Sequence, residues 1–400
     1  GFTVEPEWQY MVRRDLEAQR GLDPHSDLFS PGYFSVYLPG GESVQLEVAA
    51  GEEDDQPVNG SGVNSAGSVP VRADAVLDAP TVMLKRSLNQ YVVARGSGKT
   101  VIAGYPWFLD WGRDTLIVAR GLIAAGDTED ALGILPAFAT LEEDGTLPNM
   151  IRGTDSSNRN TSDAALWLFL ACREFYAKTG DGTFLETSCG QRSLRRVLVD
   201  IAKALEQGTP NGIRTDPESG LLFSPTHFTW MDTHHPPGTP REGYPIEIQA
   251  LWHAALAFLA EIDPQHRENW QTRADRVRTA VGRWFYLEEA GYLSDCLHAH
   301  PGMPAADAAA DDALRPNQLL AVTLGTLTGN RQRQQIVAAC QELLVPGGLR
   351  SLADRPVKRL LAIEKEGRPL GDPRRPYRGR YTGDEDTERK PAYHNGTAWG

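Results

Sequence analysis

Apolar and polar residues alternate with a period of two near the start of the chain. The alternation runs through residues 34–38 and again through residues 44–48, on either side of Gly40 and Gly41. A period of two on both sides of a Gly-Gly turn predicts a β-hairpin. Because an isolated hairpin is only marginally stable in water, we expect it either to pack on the domain that follows or to end a larger β-domain.

The segments that flank this hairpin follow other patterns. Residues 1–24, around Trp8, are predicted to form a short helical or irregular piece. Residues 51–69 are rich in Gly, Ser, Asn and Asp, which predicts a mobile loop. Residues 1–72 are therefore expected to form one unit, made of the end of a β-domain and a flexible loop.

From residue 73 onward, apolar residues recur with helical spacing. After a helix near residues 73–93, the pattern predicts pairs of helices joined by short Gly, Asp or Pro breaks. The predicted pairs cover residues 115–125 and 127–140, 162–178 and 194–207, 246–260 and 267–284, and 316–327 and 332–344.

The third pair indicates how these helices are arranged. Residues 246–260 are apolar nearly all round, whereas residues 267–284 carry one apolar stripe, so we expect the first helix to be buried and the second to cover it. Recurrent inner and outer helices can curve into a ring that places the N-terminal ends of the inner helices around one cleft. Residues 73–400 are therefore predicted to form a mainly helical domain with such a cleft.

Charge and composition limit the partners of this domain. The 400-residue chain has a formal net charge of −13 and no run of Lys and Arg, so we expect no nucleic-acid partner. A run of about 18 apolar residues is also missing, so we expect no membrane-spanning helix. The cysteines are widely spaced without a CxxC pair, which is typical of reduced thiols and predicts a cytoplasmic protein.

One short segment resembles a cluster of metal ligands. Cys296–His300 contains a cysteine and two histidines. Alternate polar residues on a strand or loop more often reflect exposure to solvent, and no distant ligand pair completes a zinc site. We therefore expect no metal and no cofactor.

The segment Thr226–Asp232 places a carboxylate directly after bulky apolar side chains. Asp232 follows Phe228, Trp230 and Met231, and a carboxylate that loses water to such neighbours is costly to ionise. Its pKa can then rise enough for proton donation, so Asp232 is the candidate general acid. Taken alone, an Asp in this position is more often a helix cap or a solvated loop carboxylate.

The next segment, Arg241–Trp252, begins a helix with polar residues. Pro245 suits the first position of a helix. Glu247 and Gln249 then lie where a helix N-terminus would meet a cavity. Carboxylates, an amide and indoles around one pocket suit a polyhydroxylated substrate.

A third motif, Gly104–Asp114, combines two indoles, two carboxylates and a guanidinium. Its chemistry-bearing residues are Trp107, Asp110, Trp111, Arg113 and Asp114. Aromatic rings stack on the apolar faces of sugars, while Asp and Arg bind neighbouring hydroxyls with directional hydrogen bonds. The alternative is a structural arrangement in which Arg113 and Asp114 cap a helix over buried indoles.

Two further segments have the same polar and aromatic character. Asn160 and Asp163 precede the predicted helix at residues 162–178, where Asp163 could cap the helix, bind a hydroxyl or do both. His394 lies close to Trp399 and is expected to be exposed. Most of the tryptophans fall in these motifs, which favours a binding cleft over a scattered core.

Together, these segments resemble the amylo-α-1,6-glucosidase domain of prokaryotic glycogen debranching enzymes. The resemblance runs from about residue 95 to residue 400. It rests on the motifs AGYPWFLDWGRDT, NTSDAALW, HFTWMD, EIQALW, RPNQ, GLRSL and AYHNGTAW, in that order. It implies an (α/α)6 toroid behind an N-terminal β-sandwich, and inverting hydrolysis of the single α-1,6-linked glucose left at a glycogen branch.

The resemblance also implies roles for individual residues. Asp232 matches the general acid of the family. The predicted substrate-binding residues are Trp107, Asp110, Trp111, Arg113, Asp114, Asn160, Asp163, Trp230, Glu247, Gln249 and His394. The expected substrate is glycogen or a branched α-glucan oligosaccharide.

The chain departs from the family in one respect that matters for the chemistry. An inverting glycosidase needs a second carboxylate that activates water, and the family supplies it after the AYHNGTAW segment, beyond Gly400. We therefore expect the chain to be a fragment that lacks this base, unless Glu247, Asp163 or Asp114 replaces it. The alternatives are another toroidal glycosidase, similar to glucoamylase or trehalase, and a non-catalytic glucan-binding domain.

Overall fold

The structure, a computed structural model, describes residues 1–19, 23–41, 43–44, 80–234 and 239–399. The chain divides into two compact units, Gly1–Leu77 and Asp78–Gly400. The predicted loop at residues 51–69 lies outside the described residues. None of the helices within the described ranges combines the length and the apolarity that crossing a bilayer requires.

The first unit is built on two long antiparallel strands. Strand β1 (Phe2–Arg13) pairs with β2 (His25–Phe34), and the short helix α1 (Asp15–Gln19) lies between them in the chain. The prediction of a helical or irregular piece over residues 1–24 is therefore wrong. The sequence contains the strand signal that this prediction missed, because apolar residues recur at alternate positions from Phe2 to Val12.

The predicted hairpin at residues 34–48 is wrong in its first arm. Residues 35–39 form no strand, and Phe34 ends β2, where it pairs with Phe2 rather than with residues that follow it. The second arm, residues 45–48, lies outside the described residues. The alternation of apolar and polar residues thus extends to residue 38, but the strand that it predicts ends at Phe34.

The second unit is mainly helical. Its helices are α2 (Pro80–Asn89), α3 (Gly112–Ala125), α4 (Thr128–Thr140), α5 (Ala164–Thr179), α6 (Leu194–Gln207), α7 (Ile246–Ile262), α8 (Arg267–Trp284), α9 (Leu319–Thr323), α10 (Asn330–Cys340) and α11 (Lys390–Tyr393). Every predicted helix of the four pairs is present, and most bounds agree within a turn. The exception is the predicted helix at residues 316–327, which is a 3₁₀ turn, Pro316–Gln318, followed by the short α9.

The helices alternate between inner and outer positions. Helices α3, α5, α7 and α9 contact one another in series, and α4, α8 and α10 each pack on a member of this series. Almost every residue of α7 is buried, whereas α8 buries only one stripe, around Trp270, Ala274 and Val277. This confirms the contrast predicted for the third pair. Closure of the helices into an (α/α)6 ring stays a prediction.

Short strands join the loops at the ends of these helices. They are β3 (Val92–Arg95), β4 (Gly98–Val101), β5 (Asp110–Trp111), β6 (Met150–Ile151), β7 (Ser188–Cys189), β8 (Arg192–Ser193), β9 (Arg214–Thr215), β10 (Leu222–Phe223), β11 (Gly243–Pro245), β12 (Tyr286–Leu287), β13 (Tyr292–Leu293), β14 (Cys296–His298), β15 (Ala309–Ala310), β16 (Leu344–Val345), β17 (Gly348–Arg350), β18 (Glu364–Lys365), β19 (Arg368–Pro369) and β20 (Ala398–Trp399). Strand β5 pairs with β6, β14 lies between β11 and β15, and β17 lies between β16 and β20. Because β5 runs into α3 and β11 runs into α7, these pairings fix where two inner helices begin.

The start of α3 depends on a close backbone approach. A Cβ atom on Gly112 would lie 2.2 Å from the carbonyl oxygen of Pro148, so a larger residue would push the two segments apart. The helix therefore begins at Gly112, three residues before the predicted start, and Arg113 and Asp114 belong to its first turn.

Candidate active site

A cavity of about 540 Å³ lies at the N-terminal ends of the inner helices. Asp114 is in the first turn of α3, Asp163 directly precedes α5, Glu247 is in the first turn of α7, and Asn317 is in the 3₁₀ turn before α9. The residues that line the cavity are Ala103, Phe108, Trp111, Arg113, Asp114, Ile117, Asp163, Trp167, Trp230, Asp232, Glu247, Asn317, Leu320, Tyr393 and Trp399. Helix N-termini present unpaired backbone N–H groups and partial positive charge, which favour oxygen-rich ligands.

Asp232 lies in this cavity and keeps part of its carboxyl accessible. Its side chain is 30% exposed, and its Oδ2 atom lies 3.6 Å from Nη1 of Arg113. Burial raises the pKa of Asp232, the charge of Asp163 raises it further, and Arg113 only partly opposes them. The carboxyl is therefore protonated to a higher pH than a solvated aspartate, which suits proton donation.

Arg113 and Asp163 form a buried ion pair beside this carboxyl. Nε of Arg113 donates to Oδ2 of Asp163 at 2.6 Å, and the hydroxyl of Thr161 donates to Oδ1 of Asp163 at 2.7 Å. Asp163 makes no side-chain capping bond to α5, so its carboxylate serves the ion pair and not the helix end. Burial also raises the pKa of Asp114, the next residue of α3.

Aromatic rings form much of the remaining wall. Trp111, Trp230 and Trp399 all line the cavity. The rings of Trp230 and Trp399 meet edge to face, with centroids 5.4 Å apart and an interplanar angle of 77°. Rings beside carboxyl and guanidinium groups are the combination that binds the apolar and polar faces of a sugar.

Glu247 reaches the cavity but is held by Arg241. Nη1 and Nη2 of Arg241 donate to the two oxygens of Glu247 at 2.5 and 2.6 Å. Nε of Arg241 donates to Oδ2 of Asp295 at 2.7 Å. All three side chains are buried, so this cluster links the start of α7 to the residues before β14.

Two predicted substrate-binding residues face away from the cavity. Gln249 is fully buried, and its amide accepts from the backbone N–H of Leu222 at 2.7 Å and donates to the carbonyl of the same residue at 2.9 Å. Asp110 is 3% exposed and pairs with Arg95 at 2.6 Å. The side chain of Gln249 therefore binds the backbone of Leu222, and that of Asp110 binds the guanidinium of Arg95.

Three other predicted residues are not among those that line the cavity. Trp107 is partly buried, and Asn160 is exposed on the loop before α5. The expectation that His394 is exposed is wrong, because it is 1% exposed. Its Nδ1 atom lies 2.9 Å from the hydroxyl of Thr239, and its ring meets that of Trp230 edge to face at 5.3 Å. Burial, reinforced by nearby arginines, places the pKa of His394 well below its usual value.

Several residues that line the cavity are not among the predicted site residues. Asn317, Tyr393 and Trp399 lie inside the motifs RPNQ and AYHNGTAW, whereas Phe108 and Ile117 occupy apolar positions without a polar signal. A polar residue at the start of an inner helix is the signal that could have identified Asn317. Tyr393 contacts the buried ring of His394, with centroids 5.0 Å apart, and the ring of Trp399, with centroids 4.7 Å apart.

The described residues contain no group of three His, Cys, Asp or Glu side chains placed to hold a metal ion. In the segment Cys296–His300, His298 pairs with Asp311 at 2.7 Å. The four cysteines, Cys172, Cys189, Cys296 and Cys340, are buried and free. In the fold, this segment thus forms a local hydrogen bond between His298, the last residue of β14, and Asp311.

Comparisons with known proteins cover both units. Residues 86–400 match the family described as amylo-alpha-1,6-glucosidase, and residues 1–45 match the family described as glycogen debranching enzyme N terminal. Among curated proteins, the chain is similar to the glycogen debranching enzyme of Saccharomyces cerevisiae. The two are 25% identical over 240 residues, which cover 45% of this chain and 16% of that enzyme.

Solved structures of glycosidases are also similar to the chain. A wild-type glycosidase has 15% sequence identity and a TM-score of 0.48, with 68% of this chain and 71% of that chain covered. A GH78 family rhamnosidase of Bacillus sp. GL1 has 20% identity and a TM-score of 0.42, with 56% and 22% covered. On the family match over residues 86–400, the chain belongs to the amylo-alpha-1,6-glucosidase family of glycoside hydrolases.

Proposed function

We propose that the chain removes α-1,6-linked glucose from branch points of glycogen or a related α-glucan, with inversion and with Asp232 as the general acid. The observation that carries the proposal is the state of Asp232. It lies in an aromatic cavity, its pKa is raised by burial, and its carboxyl remains partly accessible. Membership in the amylo-alpha-1,6-glucosidase family supports the choice of linkage.

In this proposal, Asp232 protonates the glycosidic oxygen as the bond to the departing glucan breaks. A carboxyl whose pKa is raised by burial keeps its proton to a higher pH than a solvated aspartate and can transfer it to an oxygen whose basicity rises as the bond stretches. Arg113, 3.6 Å away, then stabilises the carboxylate that Asp232 becomes. Arg113 thus lowers the free energy of proton transfer, although the pKa of Asp232 stays raised in its presence.

Arg113 and Asp114 are proposed to hold hydroxyls of the bound glucose. The Nη2 atom of Arg113 is buried and has no hydrogen-bond partner within the described residues. A buried donor without a partner costs free energy unless a ligand satisfies it. A sugar hydroxyl in the cavity would accept from this donor, while Trp111 and Trp230 would stack on the apolar faces of the ring.

Activation of water is assigned to a carboxylate other than Asp163 and Glu247. Inverting glycosidases place the two carboxyl groups about 6.5–9.5 Å apart, with water between the base and the sugar. The oxygens of Asp163 already accept hydrogen bonds from Arg113 and Thr161, and those of Glu247 accept from Arg241. Asp114 is the remaining internal candidate of the three.

The test compares Asp232→Asn with the unchanged chain on two substrates. On a branched dextrin, the variant should lose roughly 10²–10⁴-fold in turnover, because an amide cannot deliver a proton. On α-glucosyl fluoride, whose leaving group hardly needs protonation, most of the activity should return. Asp114→Asn serves as the contrast, since a residue that binds a hydroxyl or activates water should lower turnover of both substrates when it is lost.

Other results would assign Asp232 differently. Equal loss on both substrates would place it in water activation or in structure, and near-normal activity on dextrin would remove it from the mechanism. Glucose released from branched but not from linear oligosaccharides supports the α-1,6 linkage. Proton NMR of the fresh product distinguishes inversion, which gives β-glucose, from retention.

A further inference from the structure

Asp295 is a buried carboxylate that holds several donors near the cavity. It is 3% exposed. Its Oδ2 atom accepts from Nε of Arg241 at 2.7 Å, and its Oδ1 atom accepts from Nη2 of Arg241 at 3.1 Å and from Nδ2 of Asn317 at 2.8 Å. In each of these hydrogen bonds, the carboxylate of Asp295 is the acceptor, and Arg241 or Asn317 is the donor.

That role fixes the orientation of the Asn317 amide. Since Asp295 is the acceptor, the NH₂ group of Asn317 must face it, and the amide oxygen must point the other way. The oxygen accepts from the indole Nε1 of Trp230 at 2.9 Å. Asn317 is 7% exposed, so both bonds are sheltered from competing water.

The bond to Asn317 restrains the rotation of the Trp230 indole. Edge-to-face contacts with Trp399, at 5.4 Å, and His394, at 5.3 Å, define where the ring lies. Such contacts permit sliding, whereas a hydrogen bond from Nε1 sets which edge of the indole faces Asn317. Trp230 lies two residues before the candidate acid, Asp232, on the same segment. The orientation of its ring therefore sets where a stacked sugar would lie relative to the carboxyl of Asp232.

We propose that Asn317, oriented by Asp295, is a positioning residue that fixes Trp230 as the sugar platform beside Asp232. The platform role of Trp230 rests on the proposed function, whereas the ordering of its indole does not. A misplaced platform would move the glycosidic oxygen relative to the acid, and a displacement of about 1 Å can cost on the order of 10²-fold in rate. Asn317 thus acts on the reaction through Trp230.

The first experiment measures the indole without any sugar. Hydrogen exchange of the Trp230 Nε1–H is followed by NMR on protein with ¹⁵N-labelled tryptophan, and the signal is assigned by its loss in Trp230→Phe. Asn317→Ala should speed this exchange about 10-fold, the effect of losing one hydrogen bond of ordinary strength. Gln318→Ala is the matched control, because Gln318 is a neighbouring buried amide that bonds to the backbone of Arg315 and Leu293 and does not line the cavity.

The second experiment is a double-mutant cycle on a branched oligosaccharide. Asn317→Ala should raise KM and lower kcat/KM in the unchanged chain. In the Trp230→Phe background, where the N–H is already gone, it should add less than a twofold effect, because the two residues act as one unit. A merely structural role of Asn317 would give the same loss in both backgrounds.

The outcomes separate the two proposals. If exchange of the Trp230 indole is the same in Asn317→Ala and in the unchanged chain, or if the cycle is additive, the positioning role is overturned. If the unchanged chain neither binds nor cleaves any α-glucan, the proposed function fails instead. Should Asn317→Ala unfold, Trp230→Phe removes the same hydrogen bond from the other end and should reproduce the rise in KM.

Discussion

Two arginines near the cavity each contact two carboxylates, but only one of them is fully satisfied. Every nitrogen of Arg241 donates, to Glu247, to Asp295 and to the hydroxyl of Thr229. Arg113 donates to Asp163, lies 3.6 Å from Asp232, and leaves Nη2 without a partner within the described residues.

The difference separates a structural cluster from a chemical one. Around Arg241, two carboxylates and a guanidinium leave no donor for a ligand, so the cluster joins the start of α7 to the residues before β14. Around Arg113, Nη2 has no partner within the described residues, and the carboxyl of Asp232 remains 30% exposed to the cavity. The same residue types thus form a closed structural cluster around Arg241 and, around Arg113, a cluster with a donor and a carboxyl still open to a ligand.

The largest expected effect is on stability, from the satisfied cluster. Arg241→Met leaves Glu247 buried without its charged partner and removes the closest ion pair of Asp295. Breaking a buried pair from one side typically costs about 3–5 kcal/mol of unfolding free energy. Urea unfolding should show this loss, and a smaller one for Arg113→Met, in which Asp163 keeps its bond from Thr161. Equal losses would contradict the distinction between the two clusters.

An intermediate effect is expected on the pH dependence of turnover. The charge of Asp163 raises the pKa of Asp232 and also occupies Arg113. Asp163→Asn removes the repulsion and frees the arginine, so the pKa of Asp232 should fall. Because the acid must be protonated to act, the basic limb of kcat/KM should move to lower pH. Asp110→Asn, a buried carboxylate outside the cavity, should leave the limb in place, and an unmoved limb in Asp163→Asn would show that Asp232 does not set it.

The smallest effect concerns the stability cost of Asp232 itself. A carboxyl whose folded pKa is raised stabilises the fold below its unfolded pKa and loses that contribution as the pH rises through the folded pKa. At neutral pH, Asp232→Asn should therefore raise Tm slightly, and the gain should vanish in acid. A Tm that falls at neutral pH would mean that Arg113 compensates the charge after all.

Helical parts of the fold follow closely from the sequence. Helix α6 has the predicted bounds, Leu194–Gln207, because the Ser193 hydroxyl caps its start, accepting from the N–H of Arg196, and Gly208 ends it. The prediction missed β1 because its partner, β2, is separated from it in the chain by a segment that contains α1 and not by a short hairpin turn. The apolar pattern predicts a helix as far as residue 327, but α9 ends at Thr323. Gly325, with a φ of +75°, adopts a left-handed conformation that ends helices.

The site was less predictable than the helices, and Glu247 and Gln249 show why. Both are polar residues in the first turn of a buried helix, so the sequence gives them the same signal. With 3.6 residues per turn, positions two apart point to nearly opposite sides. Glu247 reaches the cavity, and Gln249 bonds to the backbone of Leu222. Which side faces the cavity depends on packing between α7 and its neighbours.

The loop that carries Asp232 is closed at its base. Ser224 and Gly243 exchange two backbone hydrogen bonds, and the N–H of His227 donates to the carbonyl of Pro240 at 2.9 Å. Closing a loop of doubled length costs only about 0.6 kcal/mol more. Insertions between Asp232 and Pro240 would thus be inexpensive and would leave the neighbouring helices in register. Evolution could therefore reshape the loop around Asp232, and with it the ligands that reach the cavity, while the helices beneath the loop stay the same.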